Sequence, residues 1–495
     1  MGRSLRLSKS RFTSGLQCHR QLWWRVHEPD AFELVPGRAQ QAIFDQGTRV
    51  GEVARTYVPG GRLVDLPHDA FGERVSMTRT LLDQKVPVLY EASFFADDVY
   101  AAVDILKREG NGFHLIEVKS STRVKEEHSP DVAIQLHVLR KSGLEVTRSE
   151  VMHLNRACAY PRLDDLFTRQ DVTGEAETLQ PDLPDLIAGQ LHMLAGPLPV
   201  VPIGEHCGKP YECPFLSRCW GDIPKYHVST LYRVGKGGAD LISRGFETID
   251  RVPPGERLSA IQERQRRSVL TGRLIVEPGL AKALAAFRAP LAFLDFETVG
   301  LAIPVWDGCH PYDAVPVQFS CHRPAPDGTV VHHEWLADGP EDPRPELARR
   351  LVEACRGART IVAYNAGFER RGIELLAGAV PGAAEDLLEM AGRLADPLPV
   401  VRDHVYHPDF DGSFSLKAVM PALVPGPGYE DLEVADGATA SLELERLMFR
   451  GDGMPAEERH RLRQALLRYC ALDTSGLMSL LGLLREMAGT AGPVS

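Results

Sequence analysis

Two periodicities alternate along the chain. Tyr100-Ala-Ala-Val-Asp-Ile-Leu106 and Phe113-His-Leu-Ile-Glu-Val-Lys119 are β-type runs parted by a turn ending in Asn111-Gly112, which predicts a hairpin. Asp131 to Gly143 then carries helical spacing and predicts an amphipathic helix closed by glycine. A second strand-rich region begins at Leu291-Ala-Phe-Leu-Asp-Phe-Glu-Thr298 and continues with Val315 to Arg323 and Val330 to Leu336, the last two separated by a turn at Pro324 to Gly328. A helix near Pro343 to Arg356, a strand from Thr360 to Asn365, a helix from Gly367 and a long helix over Leu462 to Leu483 complete the pattern.

Proline punctuation divides these regions. Pro181 to Pro184, Pro197 to Pro202 and Pro253-Pro254-Gly255 interrupt the periodic segments, predicting an α/β chain with domains at 1–222 and 286–490 and a helical connector at 223–285. Two or more domains also suit a length of 495 residues. Within the connector, Leu231 to Ile249 reads as two helical halves around Gly235-Lys236-Gly237. Such a glycine turn lets backbone N–H groups approach a phosphate.

Composition narrows the function classes. With 44% hydrophobic and 25% charged residues the chain has enough apolar material for more than one core, which excludes a largely disordered or fibrous protein. The formal net charge of −11 excludes a global positive field, so any contact with an anionic polymer falls to local patches. Residues 1–27 supply one, with Arg3, Arg6, Lys9, Arg11, Arg20 and Arg25 and no acid; Arg264, Arg266 and Arg267 supply another. The expected location is cytoplasmic, because neither a secretory h-region nor a long uncharged apolar run is read. Nine cysteines in such a chain argue for a metal site rather than a disulfide framework.

Three constellations carry chemistry. Glu117 and Lys119 are two apart on one strand face, with Asp104 on the partner strand, Gln135 on the following helix and Glu52 on an earlier one as a possible further ligand. Carboxylates of this kind hold Mg²⁺ or Mn²⁺ against a phosphate, and the lysine stabilises developing charge or positions water. Cys18, Cys207, Cys213 and Cys219 suit either zinc or a 4Fe–4S cluster, and the lack of a close C-x2-4-C pair favours the cluster. Asp295 and Glu297 share a strand face, while Tyr469 and Asp473 are four apart on a helix. The remaining cysteines, Cys158, Cys309, Cys321, Cys355 and Cys470, read as small buried side chains.

The pattern D-x12-E-x-K with a helical glutamine resembles the PD-(D/E)XK nuclease superfamily, in particular its RecB-like branch. Leu7-Ser-Lys-Ser-Arg-Phe-Thr-Ser-Gly-Leu-Gln-Cys18 is similar to the opening of CRISPR-associated RecB-like exonucleases. That resemblance implies a restriction-endonuclease-like domain whose four cysteines hold a structural 4Fe–4S cluster. The motifs F-L-D-F-E-T, Y-N-A-G-F-E and Y-C-A-L-D resemble those of DEDD-type 3′ to 5′ exonucleases with an RNase H-like fold. This second resemblance implies two divalent ions on Asp295, Glu297 and Asp473, a further acid at Glu369 where most of the family has Asp, and Tyr469 orienting water. Asp396 and Gly412 to Lys417 are supporting features. As a fused pair the chain is similar to poorly characterised bacterial RecB-like nucleases. The expectation is a metal-dependent DNase with two sites acting on DNA ends, with Arg11 and Gly235-Lys236-Gly237 as candidate nucleic-acid contacts. A nucleic-acid-binding scaffold with degenerate sites, or RNA processing by the C-terminal domain, is the alternative.

Overall fold

The computed structural model describes residues 6–221, 223–325, 327–424, 428–429 and 432–489, and it is a mixed α/β protein. Arg3 lies outside the described residues. The chain divides into two compact units, Met1–Asp222 with Ala302–Tyr312, and Ile223–Leu301 with Asp313–Ser495. Among the described residues no helix is long and apolar enough to cross a membrane.

The first unit is built on a seven-stranded sheet. Its strands are β1 (Leu7–Ser8), β2 (Gly61–Leu63), β3 (Val88–Ala96), β4 (Val99–Glu109), β5 (Gly112–Lys119), β6 (Val146–Leu154) and β7 (Phe167–Asp171). They run in the order β2-β3-β4-β5-β6-β7, and β1 pairs with β4. β3, β4 and β5 form an antiparallel meander, whereas β5 and β6 are parallel and joined by the helix His128–Lys141. That helix departs from its amphipathic reading: every residue from Asp131 to Leu139 is buried, Gln135 and His137 included. A helix packed on all sides has no polar face to show. Segment 302–312, read as part of the second domain, belongs to this first unit. There Ala302, Ile303 and Tyr312 pack with Val50, Leu154, Cys158 and Leu166.

The second unit holds β8 (Ile275–Val276), β9 (Leu291–Val299), β10 (Val315–Pro324), β11 (Val330–Leu336), β12 (Thr360–Val362), β13 (Leu394–Ala395) and β14 (Val405–Tyr406). β11-β10-β9-β12-β13 make one sheet, antiparallel on the β10 side of β9 and parallel on the β12 side. One core lies under helices Arg344–Ala354, Gly367–Ala379 and Ala384–Gly392. A second lies among Leu280–Leu284, Pro397–His404, Leu416–Leu423 and the 32-residue helix Ala456–Met487.

Residues 223–285 are counted within this second unit rather than apart from it. They carry a small core of Val228, Leu231, Leu241, Ile249, Val252 and Val269. The expected pair of helical halves is absent: a 3₁₀ turn at Val228–Thr230 precedes a single α-helix, Lys236–Ser243. Arg233 and Gly235, each at φ 50°, reverse the backbone in the left-handed region and prevent a first helix from forming. The basic stretch after Pro254 is largely taken up inside the fold: of Arg264, Arg266 and Arg267 only Arg267 is exposed, and it pairs with Glu277 at 2.5 Å. Arg264 and Arg266 are buried, the first donating to Glu277 and the Arg402 carbonyl, the second to Glu263.

Candidate active sites

In the first unit the strand register sets the site. Asp104 on β4 and Glu117 with Lys119 on β5 are brought together, and Gln135 reaches them from the crossover helix. Asp104 Oδ2 accepts from the Val118 N–H at 2.7 Å. Glu117 Oε1 accepts from Lys119 Nζ at 2.8 Å and from Lys9 Nζ at 2.7 Å, while its Oε2 accepts from Gln135 Nε2 at 2.8 Å. Lys119 also donates to Asp131 Oδ2. Burial alone would raise the Glu117 carboxyl, but the two ammonium groups outweigh it and hold the group well below the usual carboxylate range. Asp104, by contrast, is pushed up to about 8 by burial and by the charge of Glu117.

Opposite Asp104 in the β3–β4 register stands Glu91, whose φ of 57° interrupts the ladder between Tyr90 and Ala92. Its carboxylate is held by Arg55 at 3.0 Å and Arg74 at 3.7 Å. Sequence reading missed Glu91, Asp131 and the site role of Lys9. Only Asp131 left a signal, one helical turn before Gln135. Glu52 is exposed on helix Arg38–Tyr57 and lies 3.9 Å from Arg49, not on this cluster.

The cysteines come together around helix Lys9–Gln17 and helix His19–His27. Cys18, Cys207, Cys213 and Cys219 line one small cavity of about 10 Å³ with Arg20, Gln21, Trp24 and His206. Among the described residues, no three of these thiols converge within 4.8 Å of one another. Gln17 Nε2 ties the helix end to this loop through the carbonyls of His206 and Tyr211, each at 2.7 Å. Burial pushes the Cys213 and Cys219 thiols up. The other five cysteines are buried.

In the second unit, Asp295, Glu297 and Asp473 bring one carboxylate oxygen each within 4.8 Å of the others. Strand alternation puts Asp295 and Glu297 on one face of central β9, and the long C-terminal helix crosses that face with Tyr469 and Asp473 one turn apart. Asp295 Oδ2 accepts from Cys470 Sγ at 3.3 Å, and Asp473 accepts from the Tyr429 hydroxyl. Lys417, in the first turn of the helix capped by Ser415, lies 4.8 Å from the Tyr469 ring and 5.3 Å from the Tyr429 ring. Burial raises all three acids, with repulsion from neighbouring carboxylates added at Asp295 and Glu297: Asp295 stands well above its ordinary range, Glu297 at about 8, and Asp473 at about 6, where the Tyr429 hydroxyl and the Lys417 charge oppose burial.

Glu369 sits in the first turn of Gly367–Ala379, buried, raised to about 8 chiefly by burial, and its Oε2 has no hydrogen-bond partner. It contributes to the raised state of Asp295 without joining the three converging oxygens. Asp396 shapes the approach to it. Its carboxylate accepts from the N–H groups of Asn365, Ala366 and Leu398, fixing the turn before Glu369. Arg11 donates to the Arg6 carbonyl at 3.3 Å, and Gly235, Lys236 and Gly237 are exposed at a helix start.

Residues 292–415 match the model of a family described as a domain of unknown function (DUF2779). That stretch takes in Asp295, Glu297 and Glu369 and stops short of Tyr469 and Asp473. No curated protein matches the chain.

Proposed function

We propose that this protein is a metal-dependent nuclease that hydrolyses phosphodiester bonds of DNA. The convergence of Asp295, Glu297 and Asp473 within 4.8 Å carries this reading, because three hard carboxylate oxygens so placed suit a divalent cation. The unpartnered Glu369 oxygen supports it. These residues would hold Mg²⁺ or Mn²⁺. The ions, when bound, would supply Lewis-acid polarisation of the phosphodiester and activation of water.

The chain's own groups do the rest. Burial and the charge of Asp473 keep the Tyr469 hydroxyl protonated, so it serves as a donor that orients a water or phosphate oxygen. Cys470 fixes the rotamer of Asp295, and Asp396 fixes the turn that presents Glu369. The sheet order β11-β10-β9-β12-β13, with its antiparallel-to-parallel change at β9, supports an RNase H-like reading of this unit. The β4–β5 hairpin, the crossover helix and the Asp104, Glu117, Lys119 and Gln135 cluster support a PD-(D/E)XK reading of the other, as a second hydrolytic site. There Asp104 and Glu117 would hold the ion, and Gln135 Oε1, buried without a partner, fits that role.

For the cysteines we propose a structural 4Fe–4S cluster. Four soft ligands share one cavity with Arg20, and Arg25 stands near Cys213, a cationic setting that suits an anionic cluster. A single tetrahedral zinc would need thiols roughly 3.8 Å apart. Anaerobic purification should give a brown protein with stoichiometric iron and sulfide, lost in Cys213→Ser. A location in the cytoplasm follows from the same reading.

The test is hydrolysis of end-labelled single-stranded DNA, duplex DNA and RNA with Mg²⁺ or Mn²⁺. Asp295→Ala and Lys119→Ala should each remove a distinguishable set of products. Binding without cleavage by the wild type would replace the nuclease reading with a scaffold. Cleavage of RNA alone would move the function to RNA processing.

A further inference from the structure

The two ammonium groups on Glu117 are not equivalent. Lys119 has two close carboxylates, Glu117 at 2.8 Å and Asp131. Lys9 has one, Glu117 at 2.7 Å, with Asp131 no nearer than 3.8 Å. A divalent ion that takes Glu117 therefore leaves Lys119 closely paired with Asp131, and Lys9 with only its longer 3.8 Å contact to Asp131. The Lys9 side chain is 22% exposed and that of Lys119 23%, against 2% for Glu117, so both lysines reach further toward solvent than the carboxylate they share, and the difference between them lies in their partners. Lys9 also occupies the first turn of helix Lys9–Gln17, capped by Ser8, where the field of the helix favours anions. Arg6 and Arg11 lie in the same acid-free segment, Arg6 against the ring of Phe95. Beside Glu117, the buried Gln135 Oε1 lacks a hydrogen-bond partner, which marks a place for a further donor or cation in this site.

We propose that Lys9 is a metal-gated substrate cation: it is held on Glu117 in the metal-free protein and passes to a backbone phosphate of the nucleic acid when Glu117 takes the ion. This rests on the nuclease reading of the first unit. Lys9 does no bond-making; it binds, and its binding is conditional.

The experiment is equilibrium binding of labelled single-stranded DNA over a salt series, in EDTA and in Ca²⁺, which takes the same oxygen ligands. Wild type, Lys9→Gln, Lys9→Arg and Lys119→Ala are compared, with thermal unfolding to confirm that each is folded. In Ca²⁺, Lys9→Gln should lower the salt slope by about 1, while Lys9→Arg should keep it. In EDTA, Lys9→Gln and wild type should coincide. Calorimetric titration with Ca²⁺ alone gives a readout free of DNA: Lys9→Gln should bind the ion several-fold more tightly, because the competing ammonium is gone. Equal slopes in Ca²⁺ for wild type and Lys9→Gln overturn the role of Lys9 while leaving the nuclease reading standing. No DNA binding by wild type, together with unchanged products for Lys119→Ala, overturns that reading and this proposal with it.

Discussion

The two acidic clusters balance charge in opposite ways. Around Glu117, two lysines and a glutamine amide sit at 2.7–2.8 Å and hold the carboxylate ionised. Around Asp295, among the described residues, no lysine or arginine reaches ion-pair distance of the three converging acids, and Lys417, bonded to the Ala435 carbonyl, offsets Glu297 and Asp473 only in part by its charge. A charge-balanced cluster is stable as it stands. A cluster that carries more acid than cation holds protons on Asp295 and Glu297 to higher pH, so the second unit should respond far more strongly to divalent metal.

The largest expected effect comes from removing a carboxylate of the unbalanced cluster. Asp295→Ala or Asp473→Ala should lower the metal-dependent rate about 10³-fold, the equivalent of several kcal/mol of lost charge stabilisation, measured by initial rates in Mn²⁺. The balanced cluster should instead show its role in stability. Glu117→Gln leaves Lys9 and Lys119 facing each other with only Asp131 between them, and denaturant unfolding should report a loss of about 3 kcal/mol.

A smaller effect distinguishes the clusters by pH. Glu297 and Asp473 are raised in the folded state, to about 8 and about 6, so between their ordinary range and those values the folded chain binds more protons than the unfolded one. Stability from this source is complete at low pH and is lost as pH rises to about 8. Without divalent ion the melting temperature should fall over that window, by about 2–4 °C for each kcal/mol lost, and Mn²⁺ should restore it more at pH 8 than at pH 5. Glu297→Gln should flatten the dependence. The smallest expected effect is that of Glu369→Asp, which shortens the reach but keeps the charge. Its rate should stay within about tenfold of wild type, and Glu369→Ala should lose more.

The sequence made some of this visible and hid the rest for physical reasons. Period-two alternation exposes Asp295 with Glu297 and Glu117 with Lys119, and a four-residue helical step exposes Tyr469 with Asp473, because each pair shares an element. Lys9 reaches Glu117 across more than a hundred residues, and Glu91 faces Asp104 only through strand register, so neither has a local signature. The glycine turn at 235–237 misled in the other direction. Left-handed Arg233 ends any preceding helix, and local composition does not reveal a positive φ at a non-glycine residue. Likewise Arg264 and Arg266 read as a solvated basic face, yet their partners Glu277, Arg402 and Glu263 bury them.

Calorimetric titration of Mn²⁺ into metal-free wild type and Asp295→Asn/Asp473→Asn protein, both at pH 8, tests the central claim most directly. Wild type should bind ions that the double variant does not, its stoichiometry higher by the ions of this cluster. Identical isotherms for the two proteins would contradict it.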